Sequence, residues 1–268
     1  MSSRAESEYR TQREGDAPFY TSRALYDDLA VVIRRFPTRD FAPSESGPFV
    51  LVHGIGVSSR YFHPTAAELA KYGTVYLVDL PGYGSAPNPR RVVTIGDHAA
   101  VLARFLRAEG IDAATVVGHS MGTQVVSQLA LDAPELASHV VLIAPTMDPQ
   151  ARTLWRGGRR LLRDIFTCEP MAVNLVVSFD YFLRCGIPYF LKQTKQLFAD
   201  HIEDRLSLLT QKTLVLRGDR DCVSPEGWSK AVAGMLRHGS YATVPGPHVV
   251  MFTDPPRVAA YIADHSHA

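Results

Sequence analysis

The sequence has few cysteines, no excess of one charge and no long apolar run. Its three cysteines, Cys168, Cys185 and Cys222, are too few and too scattered for a disulfide framework, and none has the Cys-x-x-Cys or Cys/His spacing of a zinc site. The net charge of +1 indicates neither a nucleic acid nor an acidic partner. No stretch reaches the roughly 18 consecutive apolar residues of a membrane-spanning helix.

These absences favour a reducing compartment, and the predicted location is the cytoplasm. The chain start is polar and rich in Arg and Glu, so it lacks the apolar core of a secretory signal. We predict a disordered arm over residues 1–20. The 268 residues, of which 46% are apolar and 21% charged, suffice for one globular domain with one insertion.

Short apolar, β-branched runs with turn residues at their ends recur along the chain and predict buried strands. Segments with helical spacing lie between several of them, at 95–108, 121–131 and 228–236. The alternation predicts an α/β fold with a mostly parallel central sheet and helices on both faces. Asp254 followed by Pro255 predicts the start of a last helix. The predicted strands are 49–52, 75–78, 115–117, 140–143, 214–216 and 241–244.

The alternation stops between residues 146 and 209, where no clear strand occurs and aromatic residues such as Trp155 and Phe182 accumulate. We interpret this segment as a helical cap inserted into the core; the alternative is further helical core. The predicted core is therefore 21–145 and 210–268, with the cap at 146–209.

The strongest local motif is Gly118-His119-Ser120-Met121-Gly122, between a predicted strand and a predicted helix. Glycines two residues on either side of a serine permit a sharp turn that presents the hydroxyl in a strained, exposed position. The amino terminus of the following helix favours developing negative charge. Ser120 is thus predicted to be a nucleophile.

A serine nucleophile needs a histidine base that is oriented by a carboxylate. Asp221 lies in a loop just past a predicted strand, and Asp219 in the same loop is its rival. His248 is the histidine between the last predicted strand and the terminal helix. The candidate triad is therefore Ser120, His248 and a carboxylate of this loop, either Asp221 or Asp219.

Attack on a carbonyl creates an oxyanion, which requires preorganised backbone donors. His53-Gly54-Ile55-Gly56 follows a predicted strand, and its glycines let the backbone approach a ligand closely. We assign the N–H groups of Ile55 and Met121 to an oxyanion hole. Substrate contacts are predicted for His53, Gly54, Gly56, His119, Trp155 and Phe182.

Taken together, these motifs resemble those of the α/β-hydrolase superfamily, from Phe49 to Ile262. The matching elements are HGIG, the segment DLPGYGS from Asp79, GHSMG, GDRDCVSP and PGPH. The resemblance is to the branch of single-domain esterases and carbon–carbon hydrolases with a cap. It implies Ser120 as nucleophile, Asp221 as acid and His248 as base, and no metal or other cofactor.

The resulting hypothesis is a serine hydrolase that cleaves an ester or related carbonyl bond of a largely apolar small molecule through an acyl-enzyme. Alternatives that stay open are a carbon–carbon hydrolase for a ring-cleavage product, an acyltransferase or thioesterase, and a non-catalytic ligand-binding protein. Neither the natural substrate nor the oligomeric state follows from the sequence.

Five arginines of the cap segment recur at helical spacing opposite apolar residues and predict a basic amphipathic helix. A solvated face is one interpretation. The other is peripheral contact with anionic lipid or with an acidic substrate tail. The arginines are Arg152, Arg156, Arg159, Arg160 and Arg163.

Overall fold

A computed structural model of the chain describes residues 10–14, 17–38, 47–146, 148–149, 152 and 185–268. The described strands form one nine-stranded sheet in the order β1-β2-β3-β5-β4-β6-β7-β8-β9. They are β1 Arg10–Glu14, β2 Ala17–Tyr26, β3 Leu29–Phe36, β4 Phe49–Val52, β5 Val75–Asp79, β6 Ala114–His119, β7 Ala137–Ile143, β8 Lys212–Gly218 and β9 Gly239–Val244.

The strands from β4 to β9 pair in parallel, whereas β1, β2 and β3 are antiparallel to their neighbours. The described helices are α1 His63–Leu69, α2 Ile95–Glu109, α3 Met121–Asp132, α4 Ile187–Ala199, α5 Glu203–Leu206, α6 Glu226–Met235, α7 Val250–Thr253 and α8 Pro255–Ser266. The predicted mostly parallel sheet with helices on both faces is confirmed.

Successive residues of the central strands face two separate apolar cores, one on each side of the sheet. In β4, for example, Val50 and Val52 lie in the core shared with α2 and α3, and Phe49 and Leu51 lie in the core shared with α1 and α8. Burial on both faces explains why these strands are continuously apolar in sequence.

Capping residues define the ends of α2. Thr94 accepts a hydrogen bond from the Asp97 N–H, and the Asp97 carboxylate accepts from the Thr94 N–H in return. Gly110 ends the helix in the left-handed conformation, with a φ of 65°. Asp254 occupies the N-cap position of α8, as predicted, but its carboxylate pairs with Arg257 at 2.8 Å and makes no capping bond.

The prediction of a disordered arm over 1–20 does not hold for the described part of that segment, which forms β1 and the start of β2. The prediction relied on the polar, Arg- and Glu-rich composition of the chain start, whereas these residues pair as two consecutive antiparallel strands. Polar Ser22 is buried in β2, while apolar Leu25 is 60% exposed, which obscures the pattern of a half-buried strand. Residues 1–9, 15 and 16 lie outside the described residues.

The described part of the predicted cap contains α4 and α5. Trp155, Phe182 and four of the five arginines of the predicted basic helix lie outside the described residues. Arg152 is described and forms an ion pair with Glu203. Among the helices that the structure describes, none combines the length and apolar composition needed to cross a bilayer.

Two buried histidines, His63 in α1 and His98 in α2, are predicted to make the stability of the protein depend on pH. Burial lowers the pKa of His63 and of His98 to about 4 in the folded protein. Below pH 6.5 the unfolded chain therefore binds protons that the folded chain does not, and stability is lost as the pH falls. As the pH falls from 6.5 to 5, each of the two histidines should lower the free energy of unfolding by about 2 kcal/mol.

Urea unfolding of the protein at pH 7, 6 and 5 measures this loss. His98→Gln should reduce the pH dependence by about 1.4 kcal/mol per pH unit, because glutamine does not titrate. His238→Gln, at an exposed position, is the matched control. An identical pH dependence in His98→Gln and the unsubstituted protein would contradict the prediction.

Candidate active site

Ser120 lies at the junction of β6 and α3 in a backbone conformation that L residues rarely adopt. Its φ and ψ are 54° and −119°. The Ser120 N–H donates to the Ile143 carbonyl at 3.0 Å, and the Thr123 hydroxyl donates to the Ser120 carbonyl at 2.6 Å. Backbone strain of this kind persists where the surroundings over-determine it, commonly at functional sites. The predicted sharp turn is therefore present at the carboxyl end of the parallel strands.

Close backbone packing explains the two glycines of this turn. A Cβ at Gly118 would lie 2.3 Å from the carbonyl oxygen of Gly122. A Cβ at Gly122 would lie 2.3 Å from the carbonyl oxygen of Val52 in β4. Only glycine allows β4, β6 and α3 to approach this closely.

The two loops that follow β8 and β9 bring an aspartate and a histidine together. His248 Nδ1 lies 2.9 Å from Asp221 Oδ2, and both side chains are buried. The other oxygen, Asp221 Oδ1, accepts from the N–H groups of Val223 at 2.7 Å and Ser224 at 2.9 Å. A carboxylate only accepts, so Nδ1 carries a proton and, in the neutral ring, Nε2 keeps its lone pair.

Asp219, the rival of Asp221, has a different partner. Its Oδ1 accepts from the N–H of Gly246 at 2.8 Å, which ties the loop after β8 to the loop after β9. The Asp219 side chain is about half exposed. The aspartate bonded to His248 is thus Asp221.

Arg217, near the end of β8, stabilises the loop of Asp221 through hydrogen bonds. This arginine was not identified from the sequence. Its guanidinium is buried and donates to the carbonyls of Asp221 at 3.0 Å and Ser224 at 3.1 Å. The available signal was an arginine that directly follows the apolar run 214–216 and lies just before the loop.

The loop after β4 lies against the serine turn. A Cβ at Gly54 would lie 3.1 Å from Ser120 Cβ, and Gly56 has a φ of 76°. Ile55 lies between them, and Met121 begins α3, where backbone N–H groups have no acceptor within the helix. The positions assigned to an oxyanion hole thus lie on the loop after β4 and in the first turn of α3, both of which adjoin Ser120.

His53, for which a substrate contact is predicted, bonds to protein groups through both ring nitrogens. Its ring is buried; Nε2 accepts from the N–H of Leu80 at 3.1 Å, and Nδ1 donates to the carbonyl of Gly54 at 2.7 Å. Both ring nitrogens therefore hold the loops after β4 and β5 together.

His119, which is also predicted to contact substrate, likewise bonds to protein groups through its ring nitrogens. It is 3% exposed, and its ring nitrogens lie within hydrogen-bond distance of the Tyr61 hydroxyl and the His248 carbonyl. The rings of His119 and His248 are 4.6 Å apart, centre to centre. Because His119 directly precedes Ser120, this contact brings the Asp221–His248 pair to the serine turn.

Asp79 anchors the loop region around the site. Burial would raise its pKa, but Arg34 at 2.9 Å and hydrogen bonds from Ser59 and Ser85 stabilise the carboxylate and lower the pKa to about 2. Arg34 lies in β3, so this buried ion pair connects the antiparallel extension of the sheet to the site.

The helix α4 of the predicted cap packs on the loop 80–86. The Tyr189 hydroxyl donates to the Pro81 carbonyl at 2.7 Å, and a Cβ at Gly82 would collide with the Tyr189 ring at 2.2 Å. The Gln193 amide donates to the Val93 carbonyl at 3.1 Å. Gly82 thus permits close contact between α4 and the core.

A set of potential metal ligands exists among the described residues at His201, Glu203 and Asp204, whose ligand atoms lie within 4.8 Å of one another. His201 and Asp204 are exposed, and Glu203 is already paired with Arg152. We assign no metal to this group.

Comparison with known proteins agrees with this geometry. A family described as having the alpha/beta hydrolase fold matches residues 47–167. The dihydrolipoyllysine-residue acetyltransferase component of the acetoin cleaving system of Cupriavidus necator is 40% identical over 96 residues, or 36% of this chain and 26% of that protein. A pimeloyl-[acyl-carrier protein] methyl ester esterase of Vibrio campbellii is 29% identical over 155 residues, or 56% of this chain and 59% of that protein. The chain thus spans only part of the length of these relatives.

Solved structures resemble the chain over nearly its full length. An enol-lactonase from Burkholderia xenovorans superposes with a TM-score of 0.78 at 14% identity, covering 92% of this chain and 100% of that one. A hydrolase from Pseudomonas aeruginosa gives 0.77 at 19% identity, covering 96% and 100%. These two likenesses establish the fold. Together with the family match over residues 47–167, they show that the chain has the α/β-hydrolase fold.

The close backbone packing at the serine turn predicts that Gly122→Ala is strongly destabilising. The new Cβ would overlap the Val52 carbonyl, and we expect a loss of about 1–3 kcal/mol in the free energy of unfolding. Gly234→Ala, in α6 with open space around the new Cβ, is the matched control and should stabilise the protein by about 0.5–1 kcal/mol. Urea unfolding of both variants tests this, and a Gly122→Ala variant as stable as the unsubstituted protein would refute it.

Proposed function

We propose that the protein is a serine hydrolase that cleaves an ester or related carbonyl bond of a largely apolar small molecule. The observation that carries the proposal is the 2.9 Å bond between Asp221 and His248, held beside the strained turn of Ser120 by the contact between His248 and His119. Nucleophile, base and acid come from three loops at one edge of the sheet, which is the usual site for ligands in such folds.

In the proposed reaction the Ser120 hydroxyl attacks the carbonyl carbon while His248 Nε2 takes its proton. Asp221 stabilises the resulting imidazolium, and the N–H groups of Ile55 and Met121 stabilise the oxyanion. The intermediate collapses as His248 returns the proton to the leaving alkoxide, which departs as an alcohol. Water, deprotonated by His248, then cleaves the acyl-enzyme and releases the carboxylic acid.

The substrate class rests on composition and on relatives. The aromatic residues of 146–209 favour an apolar acyl group. The Vibrio relative is named as a methyl ester esterase, and the Burkholderia neighbour as an enol-lactonase, so both names refer to carbonyl–oxygen bonds.

The first test measures hydrolysis of p-nitrophenyl esters across acyl-chain lengths together with labelling of Ser120 by a fluorophosphonate. We expect turnover with a preferred chain length, and Ser120→Ala should reduce kcat by at least about 10³-fold and abolish labelling. Labelling without ester turnover would contradict the ester substrate and favour carbon–carbon cleavage. Neither labelling nor turnover would contradict the nucleophile and favour a ligand-binding protein.

Two aspartates of one loop offer a matched pair for testing the acid. Asp221→Asn should lower kcat by about 10⁴-fold, because the amide no longer holds the Nδ1–H tautomer of His248. Asp219→Asn alters the bond to Gly246 and an exposed ion pair with Arg220, and kcat should stay within about tenfold of the unsubstituted protein. Equal losses in the two variants would contradict the assignment of Asp221.

A further inference from the structure

His119 is a buried polar residue that the proposed chemistry does not use. Its Nε2 lies 3.2 Å from the carbonyl oxygen of His248, and a carbonyl only accepts, so Nε2 must carry the proton. Its Nδ1 is then an acceptor, and it lies 2.9 Å from the Tyr61 hydroxyl.

Tyr61 completes the arrangement from the other side. Its hydroxyl oxygen accepts from the Gly54 N–H at 2.7 Å, and its own proton is directed to His119 Nδ1. The Tyr61 side chain is fully buried, at 1% exposure. All three hydrogen bonds thus run in the same direction. The Gly54 N–H donates to Tyr61, Tyr61 donates to His119, and His119 donates to the His248 carbonyl.

This chain of three hydrogen bonds connects the oxyanion loop, the serine turn and the loop of His248, which must be aligned for the proposed reaction. Gly54 belongs to the loop that carries Ile55, His119 adjoins Ser120, and the carbonyl at the far end is that of the base itself. Burial lowers the pKa of His119 well below its usual value, and His248 and His53 add to this effect, so the ring stays neutral. A neutral ring is what the donor and acceptor pattern requires.

We propose that Tyr61 and His119 are positioning residues, which align the oxyanion loop and the loop of His248 with Ser120. The inference rests on the proposed function. Misplacement of a reacting group by about 1 Å can lower the rate about 10²-fold. Loss of a hydrogen bond that sets the spacing of two loops should therefore lower kcat measurably.

Tyr61→Phe removes the central hydroxyl and keeps the ring. We expect kcat and the rate of fluorophosphonate labelling to fall about 10- to 100-fold together, with KM changed less than about threefold, because alignment and not substrate binding is lost. Tyr76→Phe, which removes the hydroxyl of another buried tyrosine near the amino end of β5, is the control and should keep both rates.

Substitutions of His119 supply a rescue test. His119→Gln keeps an adjacent donor and acceptor, whereas His119→Leu keeps neither, so the glutamine variant should retain at least about tenfold more activity.

Independently of activity, ¹⁵N NMR should find His119 neutral with its proton on Nε2, and Tyr61→Phe should shift the Nδ1 resonance.

The inference is overturned if the unsubstituted protein is labelled and Tyr61→Phe reacts at the same rate, even when that variant is less stable. Equal losses in Tyr61→Phe and Tyr76→Phe, or a proton on His119 Nδ1, would also overturn it. If the unsubstituted protein neither turns over esters nor reacts with the fluorophosphonate, the proposed function fails, and the inference fails with it.

Discussion

Close contact between the backbones of β4, β6 and α3 is the constraint on which the site depends. Gly118 and Gly122 bring α3 against the carbonyl of Val52, and the strained turn at Ser120 follows from that approach. A backbone in this region costs about 1–3 kcal/mol and persists only when its surroundings hold it. The apolar cores on both faces of the sheet provide this support, since the central strands are buried on each side.

Buried polar groups then hold the loops that carry the chemistry. Arg217 supports the loop of Asp221, His53 joins the loops after β4 and β5, and Asp79 links Ser59 and Ser85 to Arg34 of β3. Hydrogen bonds in a low-dielectric interior are strong when every member is paired, so such networks rigidify a site. The antiparallel extension of the sheet therefore contributes to the site through one arginine.

The central parallel sheet could be predicted because its strands are apolar on both faces and alternate with helices. The strands β1 to β3 could not, since they lack intervening helices and place Ser22 inside and Leu25 outside. In the site, the turn at Ser120 followed from local spacing. The loop residues by themselves left Asp221 and Asp219 open, and the resemblance implied Asp221. The structure shows that Asp221 is the carboxylate that reaches His248 across two loops.

The sequence alone determined the features set within a few residues of one another: the strand–turn–helix around Ser120, the glycines of the loop after β4, and the order in which the predicted triad occurs. The tertiary structure decided which partner each buried polar group finds. It joined His53 to the loops after β4 and β5, joined His119 to the loop of His248, and revealed Tyr61. The physical reason is distance along the chain, because His119 and the His248 carbonyl are 129 residues apart and meet only when the sheet brings their loops to one edge.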